Sequence, residues 1–76
     1  MTLIELLPFQ IGTIVALEGD QAFKTRLIEM GFFENEKVRV IQKLPFKGPV
    51  QLRIRNAMVS LRYQDALNII VQEDGE

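Results

Sequence analysis

The chain has 76 residues, 47% of them hydrophobic, with nine basic and ten acidic side chains and neither histidine nor cysteine. This composition is typical of one small folded domain, whose core is thin because a chain of this length buries only about 60% of its surface. The net charge of −1 argues against general nucleic-acid binding, and the missing imidazole and thiol groups exclude disulfides, His/Cys metal centres and catalysis by histidine or cysteine.

The first residues are predicted to form a short helical turn rather than a targeting or membrane segment. Thr2 and Glu5 have the spacing of a capping box, and Pro8 ends the turn. The segment lacks a basic n-region, and Glu5 interrupts its apolar run, so it does not resemble a signal peptide. No apolar run approaches the ~20 residues of a transmembrane helix. We therefore expect a cytoplasmic protein that reaches any membrane only through a partner.

A strand and a helix are predicted next. From Gly12 the sequence alternates with apolar residues on both faces, so this strand is either covered on both sides or bent at a barrel corner. Asp20 is a favourable N-cap, and Gly31 suits the left-handed position that ends a helix. Between them, the residues at i, i+4 and i+7 form one apolar stripe of Phe23, Leu27 and Met30.

Four further strands are predicted from alternation and turn signals. Asn35 is expected to take a positive φ in a turn over 34–36, and Asn56 to do the same in a tight turn at Asn56-Ala57. A hairpin loop containing proline and glycine covers 44–49. A helical turn at 63–67 precedes the closing strand at 68–71, and residues 72–76 are expected to form a frayed acidic tail. The predicted inward side chains are Val38, Val40, Val50, Leu52, Ile54, Val59 and Leu61.

Five short strands in so short a chain cannot build a two-sheet sandwich with a substantial core. A ring of strands that closes on itself removes the exposed edges of a sheet. The sequence therefore predicts a mainly β fold: a small five-stranded SH3-like β-barrel with one short α-helix inserted after the first strand. Residues 1–76 are expected to form a single domain.

The alternation also predicts a basic outer surface on the sheet. Its members are Lys37, Arg39, Arg53, Arg55 and Arg62. The carboxylates are expected elsewhere, on the helix, in the turns and in the tail. An ordinary solvated sheet face and a docking patch for an acidic partner both fit this pattern. Arg26 on the helix and Phe46 at the hairpin tip complete the set of candidate partner-binding residues.

Three aromatic side chains in loops, Phe9, Phe33 and Phe46, are hard to place in so small a core. Either they pack over the barrel mouth or they anchor a partner or a second copy of the chain. RNA is another candidate ligand of a small barrel. However, base stacking needs aromatic residues on strands, and the five phenylalanines are predicted in loops and on the helix.

Catalysis, nucleotide binding and tight metal binding all lack the residues that they need. Ser60 has no histidine to activate it, and the sequence contains no glycine-rich phosphate-binding loop. Glu34 and Glu36 are the closest carboxylate pair, but two such groups make at most a weak oxygen-only metal site. We interpret both as solvated turn residues and expect no catalytic, cofactor-binding or metal-binding residue.

Several short motifs follow one another in a fixed order. They are Gly12-Thr13-Ile14, Arg26-Leu27-x-x-Met30-Gly31-Phe32, Val38-Arg39-Val40, the hairpin from Pro45 to Pro49, Ile54-Arg55, Ser60-Leu61-Arg62, Ala66 and Ile69-Ile70-Val71. This ordered set resembles the FeoA family over residues 3 to 72. The resemblance implies an SH3-like barrel with a helical insertion and an accessory role in ferrous iron uptake. Its implied partner is the cytoplasmic GTPase part of the membrane transporter FeoB.

The leading hypothesis is thus a non-enzymatic cytoplasmic accessory protein that docks on the GTPase part of FeoB and modulates it. One alternative is a nucleic-acid-binding small barrel, although nucleic acid is the less expected partner. Another is a stand-alone regulatory barrel, because the same domain type occurs at the C-terminal end of iron-dependent repressors. Self-association through Phe9, Phe33 and Phe46 is left open. These three residues and Ile11 depart from the family pattern, which affects the partner surface more than the fold.

Overall fold

A computed structural model describes residues 1–74 and contains one antiparallel sheet of five strands within them. The elements in chain order are a 3₁₀ turn at Leu3–Glu5, β1 at Ile11–Leu17, α1 at Gln21–Glu29, β2 at Lys37–Lys43, β3 at Val50–Ile54, β4 at Ala57–Leu61, α2 at Tyr63–Ala66 and β5 at Ile69–Glu73. The strand order in the sheet is β4-β3-β2-β1-β5. The predicted five-stranded, mainly β architecture with a helix after the first strand is confirmed.

The helix α1 begins and ends where its sequence signals place it. The Asp20 carboxylate accepts a hydrogen bond from the Phe23 backbone N–H at 2.9 Å. At the other end, Gly31 has φ 104°, its N–H donates to Ile28, and the N–H of Phe32 donates to Leu27. These two bonds form a Schellman motif, which satisfies carbonyl groups that the last helical turn leaves open.

The core differs from the predicted helical stripe at one end. Leu27 is buried and Phe23 packs against the core, but Met30 is 40% exposed. Phe32 takes the place predicted for Met30, because the left-handed turn at Gly31 directs the chain back toward the barrel. The strands supply most of the other buried side chains, which include Ile14, Val38, Val40, Val50, Leu52, Ile54, Leu61, Ile69 and Val71.

The strand β1 bends rather than being covered on both sides. Its pairing with β5 shifts register between Ile14 and Ala16, so Val15 has no opposite residue there. Such a bulge increases local twist and turns the strand around a corner of a small barrel. Val15 is 44% exposed as a result. Of the two predicted options for this strand, the bend at a barrel corner is therefore the one observed.

The turn between β3 and β4 lies one residue earlier than predicted. Ile54 pairs with Ala57, so the loop is Arg55-Asn56, and the positive φ falls on Arg55 at 54° rather than on Asn56. The Arg55 side chain pairs with Glu36 and lies 5.4 Å from the centre of the Phe33 ring. The predicted positive φ of Asn35 is confirmed at 73°.

The C-terminal strand continues beyond its predicted end. Gln72 and Glu73 pair with Thr13 and Gly12, and the N–H of Asp74 donates to Ile11 at 2.9 Å. The prediction of a frayed tail is thus wrong for residues 72–74, because β1 offers partners to all of them; residues 75–76 lie outside the described part of the chain. Within residues 1–74, no ladder joins β4 to β5, so the predicted ring of strands is not closed by hydrogen bonds.

Candidate partner-binding surfaces

The outer face of the sheet carries a row of four side chains that crosses four strands. Register places Ile11 opposite Arg39 and Arg39 opposite Arg53, while Arg53 lies opposite Met58. We call Ile11, Arg39, Arg53 and Met58 the outer row. Both arginines are exposed, and Met58 is 53% exposed. The row therefore presents two guanidinium groups with an apolar side chain at each end.

The two arginines of the outer row are a like-charged pair on neighbouring strands. Side chains directly opposite in an antiparallel pair lie close together, and like charges there destabilise the sheet. Among residues 1–74, the ion pairs do not include a carboxylate for Arg39 or Arg53. Each guanidinium presents a planar fork of donors that suits a carboxylate or another oxyanion. The central part of this surface is therefore suited to an acidic group from outside the chain.

The neighbouring basic side chains have carboxylate partners within the chain. Lys37 Nζ lies 2.6 Å from Asp74 Oδ2, and Arg55 pairs with Glu36. The hydrogen bond to Glu36 raises the pKa of Arg55 above its ordinary value. The expectation that acidic residues lie away from the basic surface is wrong for Glu36 and Asp74. Glu36 is also not a solvated turn residue, since its side chain is only 16% exposed.

The Lys37–Asp74 pair predicts a specific dependence of stability on acid. Hydrogen bonds from Lys37 and from the Thr13 hydroxyl hold the pKa of Asp74 below its ordinary value of 3.8. Asp74 therefore contributes stability at pH above 3.8, and this contribution is lost as the pH falls through the lower pKa of the folded state. We expect the urea midpoint of Asp74→Asn to fall less steeply with acid than that of the wild type below pH 3.8. Parallel curves would contradict the assignment.

Two predicted members of the binding set, Arg26 and Arg62, lie apart from the outer row. They line a groove between the C-terminal half of α1 and the end of β4, together with Met30, Ser60 and Asp65. The prediction of one basic surface that includes Arg62 is therefore wrong. The reason is that Arg62 lies past the end of β4, where the chain already turns into α2.

The three loop aromatics do not form one cluster. Phe33 is half-buried beside Arg55, whereas Phe9 is 70% exposed and Phe46 is 99% exposed. Phe33 precedes β2 and Phe46 follows it, and the seven-residue strand spans about 20 Å. A single aromatic anchor made of all three side chains is therefore not present, and self-association through them stays a prediction.

Phe46 lies at the tip of the β2–β3 hairpin in an unfavourable backbone conformation. Phe46 and Lys47 have φ 60° and 57°, and the N–H of Gly48 donates to Pro45 at 3.1 Å. This is a type I′ turn, whose central positions normally carry asparagine and glycine. This large apolar side chain has no packing role among the described residues, and its part in partner binding stays a prediction.

Replacing Phe46 by serine is expected to change the free energy of unfolding by less than about 0.5 kcal/mol, because the side chain is fully exposed. Binding to a partner is expected to weaken. Urea denaturation measures the first effect, and isothermal titration with the partner measures the second. Phe33→Ser is the control, since loss of this half-buried ring is expected to lower stability. A large stability loss in Phe46→Ser would show that Phe46 packs against the barrel.

Two further features concern metal binding and membranes. In residues 1–74, no group of three or more acidic side chains is arranged to hold a metal ion. No helix in that part of the chain has both the length and the apolar character needed to cross a membrane.

Ile11 and Met58 were not predicted to be neighbours of the arginines. The signal was present, because a two-residue loop between Ile54 and Ala57 determines that Arg53 faces Met58. The position of Asp74 beside Lys37 had no such local signal, since it depends on the length of β5.

The fold and these surfaces define a small SH3-like β-barrel with a charged outer face. Comparison with known protein families gives the particular family: the model of the FeoA domain matches residues 1–73. The chain therefore belongs to the FeoA family, which confirms the resemblance carried by its ordered motifs.

Known relatives agree with this assignment. The chain is 40% identical over 72 residues to the Fe(2+) transport protein A/Fe(2+) transporter FeoB fusion protein of Porphyromonas gingivalis; the match covers 95% of this chain and 8% of the fusion protein. The chain thus spans only a small part of that relative.

Two solved structures share the fold. Iron(II) transport protein A from Clostridium thermocellum is 30% identical with a TM-score of 0.89, covering 96% of this chain and 45% of the other. The FeoA of Stenotrophomonas maltophilia in complex with zinc, a prokaryotic SH3 domain protein, is 28% identical with a TM-score of 0.81, covering 95% and 89%. The SH3-like fold class predicted from the sequence is confirmed.

Proposed function

We propose that this chain is a non-enzymatic accessory protein of ferrous iron uptake that docks, in the cytoplasm, on the soluble GTPase part of a FeoB transporter and modulates it. The observation that carries the proposal is the Porphyromonas gingivalis relative, whose name joins an Fe(2+) transport protein A to an Fe(2+) transporter FeoB. Fusion holds two modules at high effective concentration, so it favours proteins that work in contact. Separate chains of the same two kinds are then expected to associate.

The outer row supports a docking role of this kind. Arg39 and Arg53 offer two guanidinium groups without a carboxylate partner in residues 1–74, and Ile11 and Met58 provide apolar contact beside them. Complementary charge speeds encounter and selects the orientation of a complex, while apolar and arginine side chains at its centre supply much of the affinity. An acidic surface on the GTPase part would match this pattern.

Modulation adds a thermodynamic requirement to docking. A bound accessory protein shifts a conformational equilibrium only if it binds one state more tightly than the other. The GTPase part has at least a GDP-bound and a GTP-bound state, so the accessory protein must distinguish them. Its dissociation constants for the two states therefore measure how far it can shift the transporter.

The test is isothermal titration of this chain into the soluble domain of FeoB, loaded either with GDP or with a non-hydrolysable GTP analogue. We expect binding in both cases, with dissociation constants that differ by about tenfold, or about 1.4 kcal/mol. Absence of binding in both states would contradict docking. Equal constants would leave docking in place and contradict modulation.

A further inference from the structure

The two edge strands of the sheet, β5 and β4, differ in whether other backbone segments pair with them. The edge of β5 is covered by the first residues of the chain: the Val71 N–H donates to Met1 at 2.8 Å, the Met1 amino group donates to Val71 at 3.3 Å, and Thr2 forms a β-bridge with Ile70. At β4, in contrast, the backbone hydrogen bonds of residues 57–61 within the described chain all belong to the ladder with β3. One edge of the sheet is therefore covered and the other is open.

The register shows which backbone groups the open edge presents. Ile54 and Ala57 flank a two-residue turn and form a hydrogen-bonded pair. Hydrogen-bonded and non-hydrogen-bonded pairs alternate along an antiparallel ladder. Met58 and Ser60 therefore occupy non-hydrogen-bonded positions, and their N–H and C=O groups point away from β3. Both residues are exposed, so these groups are accessible to a further strand.

The open edge also lacks the features that normally protect an edge strand. Natural sheets guard their edges with charged residues, proline or bulges, because an open edge can pair with another chain. The β4 segment Ala57–Leu61 contains no charged residue or proline, and its pairing with β3 shows no register shift. Among the described residues, β4 is therefore an uncovered and uncharged edge, in contrast to β5.

The groove beside β4 indicates what kind of segment fits there. Arg26 of α1 and Met30, which follows α1 directly, line this groove together with Arg62 and Asp65. Two guanidinium groups and one carboxylate give the groove a positive balance. Met30 is 40% exposed in this groove, and flexible methionine side chains adapt to varied apolar partners. The groove thus suits an extended segment that carries both carboxylate and apolar side chains.

We propose that β4 is a strand-addition site, at which an extended, carboxylate-bearing segment of the partner protein pairs with the outward backbone groups of Met58 and Ser60 and places a carboxylate near Arg26 and Arg62. In such recognition the backbone bonds supply affinity and alternate side chains supply specificity. Because Met58 ends the outer row, the added strand would continue that row beyond β4. The identity of the partner protein rests on the proposed function. The inference adds which strand of this chain is contacted and what kind of partner segment contacts it.

The decisive variant removes one outward donor. Ser60→Pro deletes the N–H that points away from β3, whereas the ladder bonds remain, and proline is tolerated on an edge strand when its missing N–H faces outward. Ser60→Ala is the matched control, because it keeps the N–H and alters only the side chain. With the soluble domain of FeoB as the probe, we expect Ser60→Pro to bind at least about tenfold more weakly and Ser60→Ala to bind like the wild type.

The outcomes separate this inference from the proposed function. If Ser60→Pro binds like the wild type, strand addition is overturned and docking stands. If the wild type itself does not bind, both are overturned.

Amide hydrogen exchange of the wild type keeps the test valid should Ser60→Pro fail to fold. The Met58 and Ser60 amides are expected to become protected only when the FeoB domain is added. Unchanged exchange would overturn the inference, and so would the same protection in a concentrated sample of this chain alone, which would assign the edge to a second copy.

Discussion

Arg53→Glu is expected to weaken binding to the soluble domain of FeoB by about 10- to 100-fold, or about 1.4 to 2.8 kcal/mol, without loss of stability. Arg53 lies at the centre of the outer row, so the reversal places a repulsive charge where an acidic partner group would dock. Within the sheet, the same change turns the like-charged pair with Arg39 into an opposite-charged pair. Cross-strand pairs of opposite charge stabilise a sheet, so the thermal midpoint is expected to stay equal or rise.

This combination distinguishes a binding role from a structural one. Lys24→Glu is the matched control, since it changes the net charge by the same amount on α1, away from the outer row. We expect this variant to bind within about twofold of the wild type. Equal weakening by both variants would show a general effect of net charge. Unchanged binding by Arg53→Glu would remove the outer row from the docking surface.

Phe32→Ala is expected to lower the free energy of unfolding by about 3–5 kcal/mol, the usual cost of removing a fully buried aromatic ring. Domains in general have only about 5–15 kcal/mol of stability, and one this small lies at the low end. Much of the variant should therefore be unfolded near physiological temperature. Urea denaturation followed by circular dichroism measures the change.

The size of this effect comes from the two roles of Phe32. Its ring has no exposed surface, and its backbone N–H closes the Schellman motif at the end of α1. Alanine keeps the backbone bond, so the expected loss reports the ring alone. Phe9→Ala is the control, because that ring is 70% exposed and its removal should cost little. A loss below about 1 kcal/mol in Phe32→Ala would contradict the described core.

Local signals were sufficient to predict most of the fold. Alternation identified the inward residues of β2 and β3, and Asp20 and Gly31 marked the ends of α1. Other features depend on contacts between distant parts of the chain. The ion pair of Arg55 joins it to Glu36, 19 residues earlier, and the extension of β5 requires the edge of β1. Propensities of single residues carry no information about such contacts.

Only part of the candidate site was predicted, because local patterns do not report contacts between distant residues. Alternation places Arg39 and Arg53 on the outer face, and the structure brings them side by side. The alternation of the sequence does not show which carboxylates approach that face, so the pairing of Lys37 with Asp74 was missed. The open edge at β4 was missed as well, because it follows from the strand order and from the covering of β5, which are properties of the assembled sheet.

The central claim is that the chain acts by docking the outer face of its sheet on the soluble domain of FeoB. The most direct test is a titration of the ¹⁵N-labelled chain with that domain, followed by the backbone amide shifts. We predict that the largest changes occur at Arg39, Arg53 and Met58 and spread along β4. Changes confined to residues away from the outer row, at Leu17, Lys24 and Ile28, or no changes at all, would contradict the claim.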